Sequence, residues 1–284
     1  MVAQIARKRI IVDSQVHLWK AATPDFPWVA GAKPRIQEPF TIERFLPLMD
    51  EAGVDRAIVC PPGLTGSRND YALEAVRRYP ERFAVMGRIN VRDPDSACLL
   101  PKWKEQPGML GIRHTFLRDN AALLTDGSLD WLWPAAEKAG LPVMLLATEM
   151  APALSRIAQR HPQLTLILDH MGMAVSTRKA GRTANAIEDA ASLARYPNCS
   201  VKLSATASYS REDYPWRDFN AHIRRLFDAY GPRRCYWGVD LTSAFGGASY
   251  RQRVTHFTEH LAFLSEEDKD WVMGRALLER LKWQ

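Results

Sequence analysis

Short apolar, β-branched runs recur eight times along the chain, and each is followed by a stretch with helical spacing. The runs cover residues 10–17, 56–61, 83–89, 109–114, 141–147, 164–169, 199–204 and 234–239. Helices are predicted over 41–52, 71–79, 94–104, 129–139, 151–160, 183–195, 219–230 and 251–264, and a further helix over 266–281 closes the chain. Gly53, Gly140 and Gly231 follow helical stretches, where a residue that tolerates positive φ ends a helix. Eight strand–helix alternations predict an α/β fold, a (β/α)8 TIM-like barrel with a C-terminal extra helix, built as one domain over residues 1–284. A doubly wound open sheet is the alternative, weakened because no G-x-G-x-x-G follows the first strand.

Several of these runs end in polar residues. In Ile10–Trp19, strand alternation puts Asp13, Gln15 and His17 on one face. Leu164–Leu168 leads into Asp169 and His170, and Cys235–Val239 leads into Asp240. A (β/α)8 enzyme works at the C-terminal ends of its strands, so these tips should converge with Arg88, Arg113, His114, Thr148, Glu149, Lys202 and Ser204. The irregular stretch from Lys20 to Pro39, rich in Pro, Phe and Trp, follows the first strand directly and reads as a lid or pocket wall.

Charge and composition narrow the partners to small molecules. The 38 basic and 32 acidic residues are interspersed, giving a net charge of +6 without a basic stripe, so no nucleic acid is expected. No apolar window is long enough for a membrane span, and the run after Arg7-Lys8-Arg9 is too short and too polar for a signal peptide, which predicts a cytoplasmic protein. Cys60, Cys98, Cys199 and Cys235 form no C-x-x-C pair and read as reduced thiols. His256-Phe257-Thr258-Glu259-His260 spells a zinc-peptidase-like H-x-x-E-H, but its helix should lie outside the barrel. The glycines Gly63 and Gly66 read as a plain turn, since no Lys-Ser or Lys-Thr completes a phosphate loop.

The ordered segments IVDSQVHLW, GIRHTF, LILDHMG, SVKLSAT and CYWGVDLT cover nearly the whole chain and resemble the amidohydrolase superfamily, most closely its amidohydrolase-2 branch. That branch includes sugar lactonases, 2-pyrone-4,6-dicarboxylate lactonase and non-oxidative decarboxylases. The resemblance implies that two His on strand one, a His on strand six and an Asp on strand eight surround a reacting carbonyl or a divalent metal. His17, His170 and Asp240 take three of those places, and Gln15 stands where the first His is usual. A Gln amide is a poor zinc ligand, so the preferred expectation is catalysis with no cofactor. Asp240 would be the general base for water attacking a lactone, with His17, His170 and the Gln15 amide donating to the oxyanion.

Arg113, His114 and Lys202 are candidate substrate-binding residues for a carboxylate, with neutralisation of Asp13 or Asp169 as the competing role. The expected partner is thus a small acidic lactone, and a homo-oligomer is allowed. The rival is a metal-dependent hydrolase or non-oxidative decarboxylase with one Zn or Mn ion on His17, His170 and Asp240. A third reading is a silent, ligand-binding barrel.

Overall fold

The computed structural model describes residues 9–284, so Arg7 and Lys8 of the basic cluster lie outside the described residues. All eight expected strands form: β1 (Val12–Val16), β2 (Arg56–Val59), β3 (Phe83–Gly87), β4 (Met109–Phe116), β5 (Val143–Ala147), β6 (Leu166–Leu168), β7 (Cys199–Ser204) and β8 (Cys235–Gly238). They are parallel and neighbour one another in chain order, with helices between them, giving an α/β barrel. Helices such as Ile42–Ala52, Ala151–Arg160 and Asn220–Tyr230 lie where the sequence periodicity places them. Pro94–Glu105 is different. It forms successive 3-10 turns around Pro101, which lacks the N–H that an α-helix would use there. Among the described residues no helix is long and apolar enough to cross a membrane.

Two apolar layers hold the barrel. The outer one lies between strands and helices. The inner one joins Val12, Ile58, Ala84, Met86, Met144, Ile167 and Tyr236 to Trp271, Leu277 and Leu281 of the closing helical segment. That segment therefore plugs the N-terminal end of the barrel and leaves the C-terminal mouth to polar residues. Arg9 ties the start of the chain to the plug through Glu266 (2.8 Å) and Asp270 (2.6 Å).

The seam between β8 and β1 is unusual, because no strand ladder joins them among the described residues. The Asp13 carboxylate accepts instead from the backbone N–H of Val239 (3.0 Å) and of Gln15 (2.9 Å), and from the Tyr250 hydroxyl (2.7 Å). This corrects the expectation that Asp13 shares a face with Gln15 and His17. The register of β1 is irregular between Asp13 and Val16, which breaks simple alternation and leaves Asp13 turned to Tyr250 in the outer layer. Burial raises the Asp13 carboxyl to about 6 despite its three donors.

His256 and His260 lie on the outer helical layer, and each ring faces a hydrogen-bond partner of its own. His256 Nε2 meets Asn220 Oδ1 at 3.0 Å and His260 Nε2 meets the Tyr214 hydroxyl at 2.8 Å.

Gly111 of β4 packs against the chain entering β5. A Cβ there would collide with the carbonyl oxygen of Pro142 and lie 2.8 Å from Met86 Cε. Gly111→Ala is expected to lower the unfolding free energy by about 2 kcal/mol or more, read from urea denaturation. A variant as stable as the wild type would show that the two strands part there without cost.

Candidate active site

His17 lies one residue past β1, His170 two past β6 and Asp240 two past β8. His170 (φ 52°) and Asp240 (φ 48°) adopt left-handed backbone, so the chain leaves the sheet sharply and turns both side chains toward the barrel axis. Non-glycine residues rarely take this conformation, and it concentrates at functional sites. The three side chains line a cavity of about 230 Å³ with Arg113, Thr115 and Leu146. The long loop after β1 forms one wall through Lys33, Pro34 and Arg35, as its position and composition suggest.

Beneath the cavity a hydrogen-bonded network fixes proton positions. Arg113 Nε donates to Asp169 Oδ2 at 2.8 Å, and Asp169 Oδ1 pairs with Lys202 Nζ at 2.8 Å. Lys202 also donates to Gln15 Oε1 at 2.7 Å. The Gln15 amide nitrogen then lies 3.3 Å from His17 Nε2 and 3.2 Å from His170 Nε2. On their far sides, His17 Nδ1 lies 2.6 Å from the Cys60 carbonyl and His170 Nδ1 lies 2.8 Å from Ser204 Oγ.

Burial pulls both imidazoles down to about 4, against the opposing attraction of Asp240, so both rings are neutral near pH 7. Burial alone would raise Asp240, but the His170 and His17 rings and the Arg35 and Arg113 guanidiniums draw it down to about 2. Asp169 is likewise held below its ordinary range, since Lys202 and Arg113 overcome the effect of burial. Asp240 Oδ2 is 3.5 Å from Arg35 Nη1 and 3.7 Å from His170 Nε2. Its Oδ1, 3.4 Å from His17 Nε2, has no hydrogen-bond donor.

The sequence-derived candidates separate into three groups. His17, His170, Asp240 and Arg113 line the cavity. Gln15 and Lys202 are fully buried under it and do not line it, so neither is placed to touch a substrate. His114 also misses the cavity, because Arg113 and Thr115 are its inward neighbours on β4 while His114 packs its ring 5.0 Å from that of Phe116. Burial and the nearby Arg88 and Arg113 charges lower His114 to about 3. Arg88 Nε donates to the Gly66 carbonyl, and Glu149 pairs with Arg182 at 2.9 Å.

The expected donor role of His17 also changes. A backbone carbonyl only accepts, so the neutral ring carries its proton on Nδ1 and presents Nε2 as an acceptor. Sequence reasoning missed Trp19, Arg35, Thr115, Leu146 and Thr242 in the lining. Alternation from Arg113 could have found Thr115, whereas nothing in the pattern marks Leu146.

The amidohydrolase family model matches residues 12–276, almost the whole of this barrel. The chain belongs to the amidohydrolase family. Among curated proteins, this amidohydrolase is 26% identical over 239 residues to an L-fucono-1,5-lactonase of Burkholderia ambifaria, covering 81% of this chain and 79% of that protein. It is 27% identical over 213 residues to a 4-sulfomuconolactone hydrolase of Hydrogenophaga intermedia, covering 70% and 64% respectively. Among solved structures, an amidohydrolase from Burkholderia multivorans with bound Zn aligns with a TM-score of 0.79 at 21% identity, covering 96% of this chain and 99% of that one. At that identity the likeness is one of fold.

The buried imidazoles set how stability responds to acid. His17, His170, His114 and His256 are all held below their ordinary value, so between about pH 6.5 and 4 the unfolded chain takes up protons that the native amidohydrolase does not. Stability is then lost as pH falls through that window. Asp13, raised to about 6, acts in the opposite sense as a single group. The melting temperature is therefore expected to fall by about 5 °C or more between pH 6.5 and 4.5. A flat profile would mean that water reaches the rings.

Proposed function

We propose that this amidohydrolase opens a carboxylate-bearing lactone, with Asp240 as general base and no resident metal. The observation that carries the reading is Asp240 itself. It is ionised near neutral pH, buried at the cavity floor, and has one carboxylate oxygen without a donor. The carboxylate takes one proton of a water, whose oxygen attacks the lactone carbonyl carbon. The Nε2 atoms of His17 and His170, 3.4 and 3.7 Å from the Asp240 carboxylate oxygens, bound the space beside it. The Arg35 guanidinium, 3.5 Å from Asp240, supplies positive charge for the oxyanion. When the ring C–O bond breaks, protonated Asp240 returns its proton to the leaving alkoxide. The names of the two lactone-hydrolysing relatives agree with a cyclic ester as substrate.

Absence of a metal requirement is supported by the chemistry of the donor set. A divalent ion would draw on the Nε2 lone pairs of His17 and His170, and the Gln15 amide nitrogen already lies against both. The buried charges also balance without an ion, Lys202, Arg113 and Arg253 against Asp13, Asp169 and Asp240. The rival reading, one Zn or Mn ion on His17, His170 and Asp240, has the unpartnered, buried Asp240 Oδ1 in its favour. Hydrolysis of an acidic lactone should survive exhaustive chelation, and Asp240→Asn should lower kcat by about 10²- to 10⁴-fold with the fold intact by circular dichroism. Reversible loss on chelation would return the metal reading.

Arg113 is the cation that would read the substrate carboxylate. Its Nε is taken by Asp169, and its guanidinium lines the cavity. Arg113→Ala is expected to raise KM for an acidic lactone about tenfold more than for a neutral analogue. Equal losses on both would confine Arg113 to its pairing with Asp169.

A further inference from the structure

Gln15 and Lys202 are fully buried and neither lines the cavity, so the proposed reaction gives them no direct step. Their chemistry nevertheless fixes where hydrogens lie. An ammonium only donates, so the atom facing Lys202 Nζ at 2.7 Å must be the amide oxygen of Gln15. The two N–H bonds of the amide are thereby turned to the Nε2 atoms of His17 (3.3 Å) and His170 (3.2 Å). Both rings are consistent with receiving them. His17 has its proton on Nδ1 against the Cys60 carbonyl, and His170 Nδ1 faces Ser204 Oγ, which can accept. Lys202 is held in turn by Asp169.

We propose that Lys202 is a positioning residue: by donating to Gln15 Oε1 it sets the polarity of the amide, whose two hydrogens tie together the imidazoles of His17 and His170 in the manner a metal ion otherwise would. The proposal deepens the metal-free reading of the same site and rests on that reading for its effect on turnover, but not for the hydrogen positions. A carboxylate in place of the Gln15 amide would still accept from Lys202, yet it would offer a lone pair instead of hydrogens to the centre.

Nitrogen-15 spectra of the imidazoles in the labelled wild-type protein at neutral pH, assigned with His17→Asn and His170→Asn, should show both rings protonated on Nδ1. In equilibrium dialysis against zinc alone, Gln15→Glu should hold the ion at least about 10-fold more tightly than the wild type. Lys202→Met should lower kcat about 10- to 100-fold, as losses of groups that orient a site do, with KM changed by less than about twofold. Should that variant fail to fold, the spectra and the dialysis still decide. A proton on Nε2 of either wild-type ring, or equal zinc affinity in the wild type and Gln15→Glu, overturns the proposal. Expected spectra and affinities in a protein that hydrolyses no lactone would support it and remove only the lactonase reading.

Discussion

One buried carboxylate organises the interior of this barrel. Asp169 is completely enclosed and meets two cations, Lys202 and Arg113, each at 2.8 Å. Without it, two positive charges would sit uncompensated in a low-dielectric core, a cost of several kcal/mol in comparable cases. With it, each cation has a fixed direction. Lys202 is turned toward the Gln15 amide, and Arg113 is anchored by its Nε beside the cavity. The charge of the pair not cancelled by Asp169 is met by Asp240, which stays ionised although it is as enclosed as an apolar residue.

How much of this was legible in the sequence follows from what strand alternation encodes. Apolar runs ending in His or Asp mark strand tips, and in a barrel the tips share one mouth, so His17, His170 and Asp240 could be brought together from the chain alone. Alternation tells which face a residue takes only while the register is regular, and it tells nothing of depth. Asp13 was misread because β1 is irregular beyond it, and Lys202 points inward but stops below the cavity. His114 follows the alternation of its strand and falls on the wrong side for a ligand.

Hydrogen-bond polarity was not legible at all. The tautomer of His17 depends on a carbonyl contributed by Cys60, 43 residues away, and the orientation of Gln15 depends on a lysine 187 residues away. The long loop after β1 could be read as a wall, but not that it would bring Arg35 beside Asp240. Residue type carries charge. Only the assembled fold decides which end of an amide or an imidazole bears hydrogen.

The side-chain join between β8 and β1 has a consequence for motion. Elsewhere the barrel wall is a continuous ladder, whereas here the Asp13 carboxylate and a single backbone hydrogen bond, from Asp240 N–H to the Gln15 carbonyl (3.2 Å), hold the strands, and Gly238 lacks the Cβ that would strike Ser14 Oγ. The first fluctuation to breach the wall should therefore run along this line, exposing the Val239 amide to hydrogen exchange before the amides of β4 and β5. Gln15 and His17 ride on one bank of that line and Asp240 on the other. Breathing of the seam thus changes the distance between the carboxylate and the ring it faces, while His170, carried past β6, stays with the rigid wall.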